Sequence, residues 1–546
     1  MRYNKVIALV CAAIAVSCGS PQPEPVPAPT AAPETSQPPA AKPVAPPDLL
    51  HTDGYKFVDS EGRQVILHGM AVINKSKTDG FTSFHGPKEF DDMRKWGMNC
   101  IRLGIFWDGI EPEPGKYDEE YLKRVDARVK WAGDAGLYVL LDMHQDLFSQ
   151  YVGQGGGDGA PEWATLTDGQ PHIHTGGVWS DAYVTSPAVH AVFDNFWANK
   201  PASDGIGLQE HYAKAWQQVA KRYANEPAVV GYDLMNEPSP GVANVMGQGA
   251  MLGKAAEILS ASKGTPIAVE DLVKQWLDTA GRSELMKELA DAEFFKQLLD
   301  AGYPVFSEFE RTQLMPMYQR VADAIRAVDT KHILFLETCG AANMGVISSV
   351  EPLRGADGSR DPLQAYAPHI YDIVTDTADL ATASSSRVEL IFARQMETVK
   401  RLNMPMLLGE WGAYGISGSE ILPAARHLAR QLEKGLWSDT YWEFGKHIYE
   451  CKYMDALDRT FPERIAGDLI EYEANLETIG FSCRWKEDPE VKAPTRIYVP
   501  ARRFPGKDQI KLEPQGKGFE VENESDDVCL VIAPTGEAVE RVLTIE

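Results

Sequence analysis

At 546 residues the chain is too long for one small domain and can bury a large core. Its 44% hydrophobic and 24% charged residues are ordinary for a soluble globular protein. A formal net charge of −25 excludes nucleic acid and an anionic bilayer as main partners, since phosphates would be repelled.

Residues 1–18 read as a targeting segment: Arg2 and Lys5 form a positive end, and an apolar run over 6–16 is too short to span a bilayer. The run ends in Ala-Val-Ser-Cys at Cys18, which resembles the lipidation site of a bacterial lipoprotein, with ordinary secretion as the alternative. The expected location is therefore the cell envelope, held by a lipid anchor at a membrane surface, or the exterior. Residues 19–48 are dominated by Pro and Ala, a semi-rigid extended tether.

Between 49 and 458, apolar strand-like runs alternate with helical patterns, the mark of β/α units and a parallel sheet. Strands are expected near 65–72, 98–103, 137–142, 228–235, 332–337, 365–371, 405–409 and 436–442. Helices such as 119–135, 208–224 and 312–328 lie between them. Eight such strands predict an α/β fold, a (β/α)8 TIM barrel with enlarged loops. A doubly wound open sheet is the runner-up, but no Gly-rich nucleotide loop follows an early strand. Two loops are oversized: 145–203, rich in Gly and aromatics, and 239–309, with a helical pattern and apolar clusters such as 246–252.

From 459 to 546 short alternating stretches appear (481–485, 496–499, 518–521, 528–532 and 542–545), predicting a small β-sandwich that buttresses the barrel. Cys100 and Cys339 lie in or beside apolar strands as expected buried free thiols, and a Cys451–Cys483 bridge is left open.

Polar residues recur at or just after predicted strand ends. In order they are Arg102, His144 with Asp146, Asn236 with Glu237, His369 with Tyr371, Glu410 and Trp442. Glu237 stands in Leu-Met-Asn-Glu-Pro and Glu410 in Met-Leu-Leu-Gly-Glu-Trp-Gly. One glutamate at a strand end could simply cap a helix. Two carboxyls meeting at the C-terminal mouth of a parallel barrel suggest cleavage of a glycosidic bond.

This ordered set resembles glycoside hydrolase family 5, a retaining group. Within it, the stretches 57–69, 142–146, 159–164 and 497–501 are similar to endoglycoceramidases. The resemblance implies that Glu237 is the general acid/base and Glu410 the nucleophile, with Arg102 and Tyr371 favouring the charged form of Glu410. It implies that Asn236 donates to the sugar 2-hydroxyl, and that His144, His369 and Asp146 hold hydroxyls or neighbouring carboxylates. Lys75, Asp146 and Trp179 would hold the sugar nearest the ceramide, and Trp442 would offer a flat apolar face to a sugar ring. The chemistry requires no metal and no cofactor; His172 and His174 alone are too few ligands for a metal site.

The expected substrate is a glycosphingolipid or another β-glycoside, cut by a monomer, with the apolar insertion available to the acyl chains. An endo-β-glucanase on the same barrel is the alternative enzyme. A non-catalytic glycan-binding lipoprotein is the alternative from another class.

Overall fold

The computed structural model describes residues 47–174, 178–377, 379–516, 518–524 and 527–546. The expected signal, Cys18 and nearly all of the linker lie outside these residues.

Eight parallel strands form the main sheet: β1 (His68–Val72), β2 (Cys100–Ile105), β3 (Tyr138–Met143), β4 (Val229–Asp233), β5 (Ile333–Leu336), β6 (Gln364–Tyr366), β7 (Leu407–Leu408) and β8 (Ser438–Tyr441). They are ordered β7-β8-β1-β2-β3-β4-β5-β6. The ring closes where the Tyr366 amide donates to the Pro405 carbonyl at 2.9 Å. One step further, His369–Ile370 pairs in parallel with Glu410–Trp411. The result is a (β/α)8 barrel.

Strand periodicity explains what fills it and what faces its mouth. Successive strand residues point to opposite sides. Cys100, Leu140, Phe335 and Ala367 belong to one buried cluster inside the ring. Their neighbours Ile101, Leu141, Leu334 and Leu336 pack in the larger cluster under the helices. Continuing the inward parity by two residues reaches Arg102, Asp142, Glu337 and His369. Apolar packing thus gives way to polar groups at the C-terminal end of the barrel, where the fold places its active sites.

Two local expectations are corrected and one open point is settled. The helix expected over 312–328 is shorter, Met315–Arg326, and is preceded by a π turn at Glu310–Leu314. The strand expected over 65–72 is two: Gln64–Val65 pairs antiparallel with Arg464–Ile465, and only His68–Val72 enters the barrel. The possible Cys451–Cys483 bridge is not formed; Cys483 is a buried free thiol inside the terminal sandwich, Cys451 is also free, and Cys100 and Cys339 are the buried free thiols expected.

The terminal unit is a sandwich of two antiparallel sheets. One carries Gly467–Ala474, Phe481–Glu487, Glu540–Ile545 and Ile510–Glu513; the other carries Phe461–Ile465, Thr495–Pro500, Asp527–Ile532 and Phe519–Glu524. The second sheet is extended by His51–Asp53, Lys56–Val58 and Gln64–Val65 from the other end of the chain. Residues 51–65 thus hydrogen-bond to the sandwich sheet while Phe57 and Val65 pack into the cluster inside the barrel. Trp485, Ile497, Leu530 and Leu543 fill its core.

The 239–309 insertion is helical, with Val242–Lys263, Val269–Leu277, Thr279–Glu288 and Ala292–Phe309. Its apolar residues mostly pack among themselves, Leu259, Leu272, Leu285 and Leu298 forming a small separate core. Val242 and Met246 stay exposed. Among the described residues no helix is long and apolar enough to cross a membrane.

Candidate active site

Arg102, at the middle of β2, is the electrostatic centre. It is 1% exposed. A buried guanidinium requires paired acceptors, because its charge cannot be neutralised by losing a proton. It finds them on four carboxyls: Asp233 at 2.9 Å through Nε, Glu410 at 2.6 Å, Glu337 at 2.7 Å and Asp142 at 3.0 Å. It also donates to Asn236 Oδ1 at 2.8 Å.

Glu410 is 5% exposed. Its Oε1 takes the Arg102 contact, and its Oε2 accepts from the Tyr371 hydroxyl at 2.9 Å. Burial pushes its carboxyl above the usual value, against the opposing pull of the His369 and Arg102 cations, and the Glu237 charge adds to the rise.

Glu237 follows β4 with φ at 39°, a left-handed backbone conformation uncommon for a residue with a side chain. Its Oε1 accepts from Asn343 Nδ2 at 3.0 Å and faces His369 Nδ1 at 2.8 Å. Its backbone N–H donates to Glu337 Oε2 at 2.7 Å. One carboxyl oxygen of Glu237, one of Glu410 and a ring nitrogen of His369 all lie within 4.8 Å of one another. The two carboxyls thus face one common space, the arrangement that two-carboxyl glycoside cleavage uses.

His369 is fully buried. Burial opposes charge on its ring, but Glu337, Glu410 and the Glu237 hydrogen bond outweigh it and hold the imidazole well above its ordinary value. The ring lies among three glutamates, 2.8 Å from Glu237, 3.3 Å from Glu337 and 3.5 Å from Glu410.

A second cluster lies beside the first. His144 Nδ1 meets Asp142 Oδ2 at 2.8 Å and its Nε2 lies 3.5 Å from Asp146. Burial disfavours its charge, yet the Asp142 carboxylate raises it to about 10. Lys75 pairs with Asp146. Its ammonium also sits 4.6 Å from the centre of the Trp442 ring and 6.0 Å from that of Trp179. Trp442 is not bare: it stacks on His144 at 5.3 Å and 13°. The flat face expected for a sugar is therefore shared with an imidazole and an ammonium. Trp179 stands at the rim, its Nε1 donating to Asp376 at 2.9 Å.

Asn236 is held on both sides, its oxygen by Arg102 and its nitrogen donating to the Gln145 carbonyl at 3.0 Å. One Nδ2 hydrogen remains for a ligand.

The structure thus brings Arg102, Asn236, Glu237, His369, Tyr371 and Glu410 into one network. It places Lys75, His144, Asp146 and Trp442 in the adjoining cluster, bridged by Asp142. Sequence reasoning missed Asp142, Asp233, Glu337, Asn343 and Asp158. The first three are acidic residues at the ends of apolar strand runs, the same signal that marked Glu237. Asp158 lies in a Gly-rich loop with no periodic signal; its buried carboxyl, beside Asp146, is pushed up to about 7 by burial and the Asp146 charge.

Residues 58–447 match the family described as Cellulase (glycosyl hydrolase family 5), and 459–546 match the glycoside hydrolase family 5 C-terminal domain. The chain belongs to glycoside hydrolase family 5. It is 33% identical to endoglycoceramidase I of Rhodococcus hoagii over 480 residues, covering 85% of this chain and 82% of that one. Endo-glycoceramidase II from Rhodococcus sp., solved as a ganglioside GM3 complex, superposes with a TM-score of 0.69 at 26% identity, over 90% of this chain and 99% of that one. A crystal structure of endogalactoceramidase, 22% identical, shares the fold with a TM-score of 0.63, covering 91% and 100%. This family 5 chain is a glycoside hydrolase.

Proposed function

We propose that this hydrolase cleaves the β-glycosidic bond between oligosaccharide and ceramide in glycosphingolipids by a two-glutamate double displacement. The observation that carries the mechanism is the approach of Glu237 and Glu410 to within 4.8 Å around His369. The extended similarity to an endoglycoceramidase supports the substrate class.

Glu410 attacks the anomeric carbon, its carboxylate aimed by Arg102 and the Tyr371 hydroxyl. Glu237 delivers a proton to the departing glycosidic oxygen, so that ceramide leaves as an alcohol. The proton donor is oriented by Asn343 and His369. Glu237 then takes a proton from water, which attacks the glycosyl ester on Glu410 and releases the sugar with its original configuration. Asn236, with one free N–H at the mouth, serves the sugar 2-hydroxyl. Lys75, Asp146, His144 and Trp442 form the wall for the sugar next to the leaving group, and Trp179 its rim.

Trapping tests this assignment. A 2-deoxy-2-fluoro glycosyl fluoride should add one glycosyl mass to the protein, mapped to the peptide holding Glu410. An adduct elsewhere, or none alongside normal turnover, contradicts it.

The anchor is a separate reading supported by residues 1–18: Cys18 carries lipid and keeps the enzyme near amphiphilic substrate. Fatty-acid labelling that persists in C18A would overturn it.

A further inference from the structure

Glu337 directly follows β5 and is 0% exposed. A carboxylate buried this deeply must be satisfied by donors on both oxygens. Its partners are unusual for a structural acid. Oε2 accepts the backbone N–H of Glu237 at 2.7 Å. Oε1 accepts from Arg102 at 2.7 Å and lies 3.3 Å from Nε2 of His369, an ion-pair distance. Arg102 is the residue that grips Glu410, and His369 the one that faces the Glu237 carboxyl. One side chain therefore touches the main chain of one proposed catalytic glutamate and the two cations set against the carboxyls of both.

We propose that Glu337 is a positioning residue: it fixes the Glu237 peptide together with the Arg102 and His369 side chains, and so sets the separation of the two catalytic carboxyls. This rests on the reading of Glu237 and Glu410 as the catalytic pair. The left-handed backbone of Glu237 is uncommon for a residue with a side chain and persists only where its surroundings hold it, and the Glu337 bond is such a hold. Glu337 also supplies charge. The groups facing His369 are Glu237 from the end of β4, Glu337 from β5, Glu410 after β7, Tyr371 two residues on, and Asp233. Glu337 Oε1 lies 3.3 Å from Nε2, so it sets a carboxyl beside that ring nitrogen as Glu237 does beside Nδ1.

An amide cannot replace this carboxylate. Glutamine has one accepting oxygen and one donating nitrogen, so either the Glu237 N–H or the Arg102 and His369 side would meet a donor. E337Q should lower kcat about 10²-fold with KM nearly unchanged, the pattern of a group that matters for transition-state geometry. The alkaline limb of its kcat–pH profile, which follows the Glu237 acid, should move to lower pH, because a carboxylate beside that acid is lost. A merely structural acid would lower the melting temperature and leave that limb in place. E237Q and E410Q run in the same assay separate the two levels of inference. Full activity in either glutamine variant overturns the catalytic pair and this proposal with it. Two dead variants beside an E337Q with wild-type kcat and alkaline limb overturn this proposal alone. If E337Q does not fold, E337D decides: its shorter carboxylate cannot reach Glu237 and Arg102 together, and an undiminished kcat would overturn the role.

Discussion

The Arg102 guanidinium lies 2.6 Å from Oε1 of Glu410 while also contacting Asp142, Asp233 and Glu337. One buried cation therefore orients the nucleophile and balances the acids behind it. Replacing it with an apolar group would leave those acids unpaired. R102M should destabilise the fold by ~3–5 kcal/mol, the usual cost of breaking a buried ion pair by removing one partner. Denaturant titration measures this. R102K should retain more stability yet lose on the order of 10²-fold in kcat, since an ammonium is a point charge and cannot hold a planar fork of carboxylates.

The acid limb of the pH profile follows from Glu410. Attack needs the ionised carboxylate, and burial raises its pKa even against the His369 and Arg102 cations. Activity should therefore fall, as pH drops, at a higher pH than an ordinary carboxyl of about 4.3 would give. R102M takes away a cation that holds this pKa down, so its residual activity should show an acid limb displaced further upward. A limb that stays in place or moves down would contradict the assignment.

Asp158 gives a stability prediction of known sign. Its folded pKa, near 7, exceeds the ordinary value of about 3.9, so the native state binds this proton more tightly than the unfolded chain. Its contribution therefore weakens as pH rises from about 4 to 7 and stays weakened above. D158N cannot ionise. Relative to wild type, its melting temperature should be higher at pH 8 than at pH 4.5. An offset independent of pH would show that Asp158 does not titrate against Asp146.

Much of the fold was legible because barrel strands are buried on both faces and read as short apolar runs between amphipathic helices. The same logic marked the site wherever a polar residue closed such a run, as at Arg102, Asn236–Glu237 and His369. It should equally have flagged Asp142 and Glu337, which closed the expected strands 137–142 and 332–337, and Asp233, which lay inside the expected strand 228–235. Asp158 and Asn343 were illegible for a different reason: loop and one-turn helix residues carry no period, and only the folded chain brings them to Asp146 and Glu237. The link of 51–65 to the sandwich sheet was hidden because His51–Asp53 and Lys56–Val58 are too short to show alternation, and the strand they lead to, Gln64–Val65, pairs with Arg464–Ile465 some 400 residues away in sequence. The possible Cys451–Cys483 link also needed three dimensions; Cys483 points into a sandwich core and Cys451 lies beyond β8.

The central claim, endo-cleavage at ceramide by Glu237 and Glu410, is tested most directly by mass spectrometry of ganglioside GM3 digested with the wild-type chain and with E410Q. The wild type should release intact trisaccharide plus free ceramide in equal amounts, and E410Q neither. Release of single terminal sugars, or an untouched ganglioside beside rapid cleavage of a β-glucan, would contradict it.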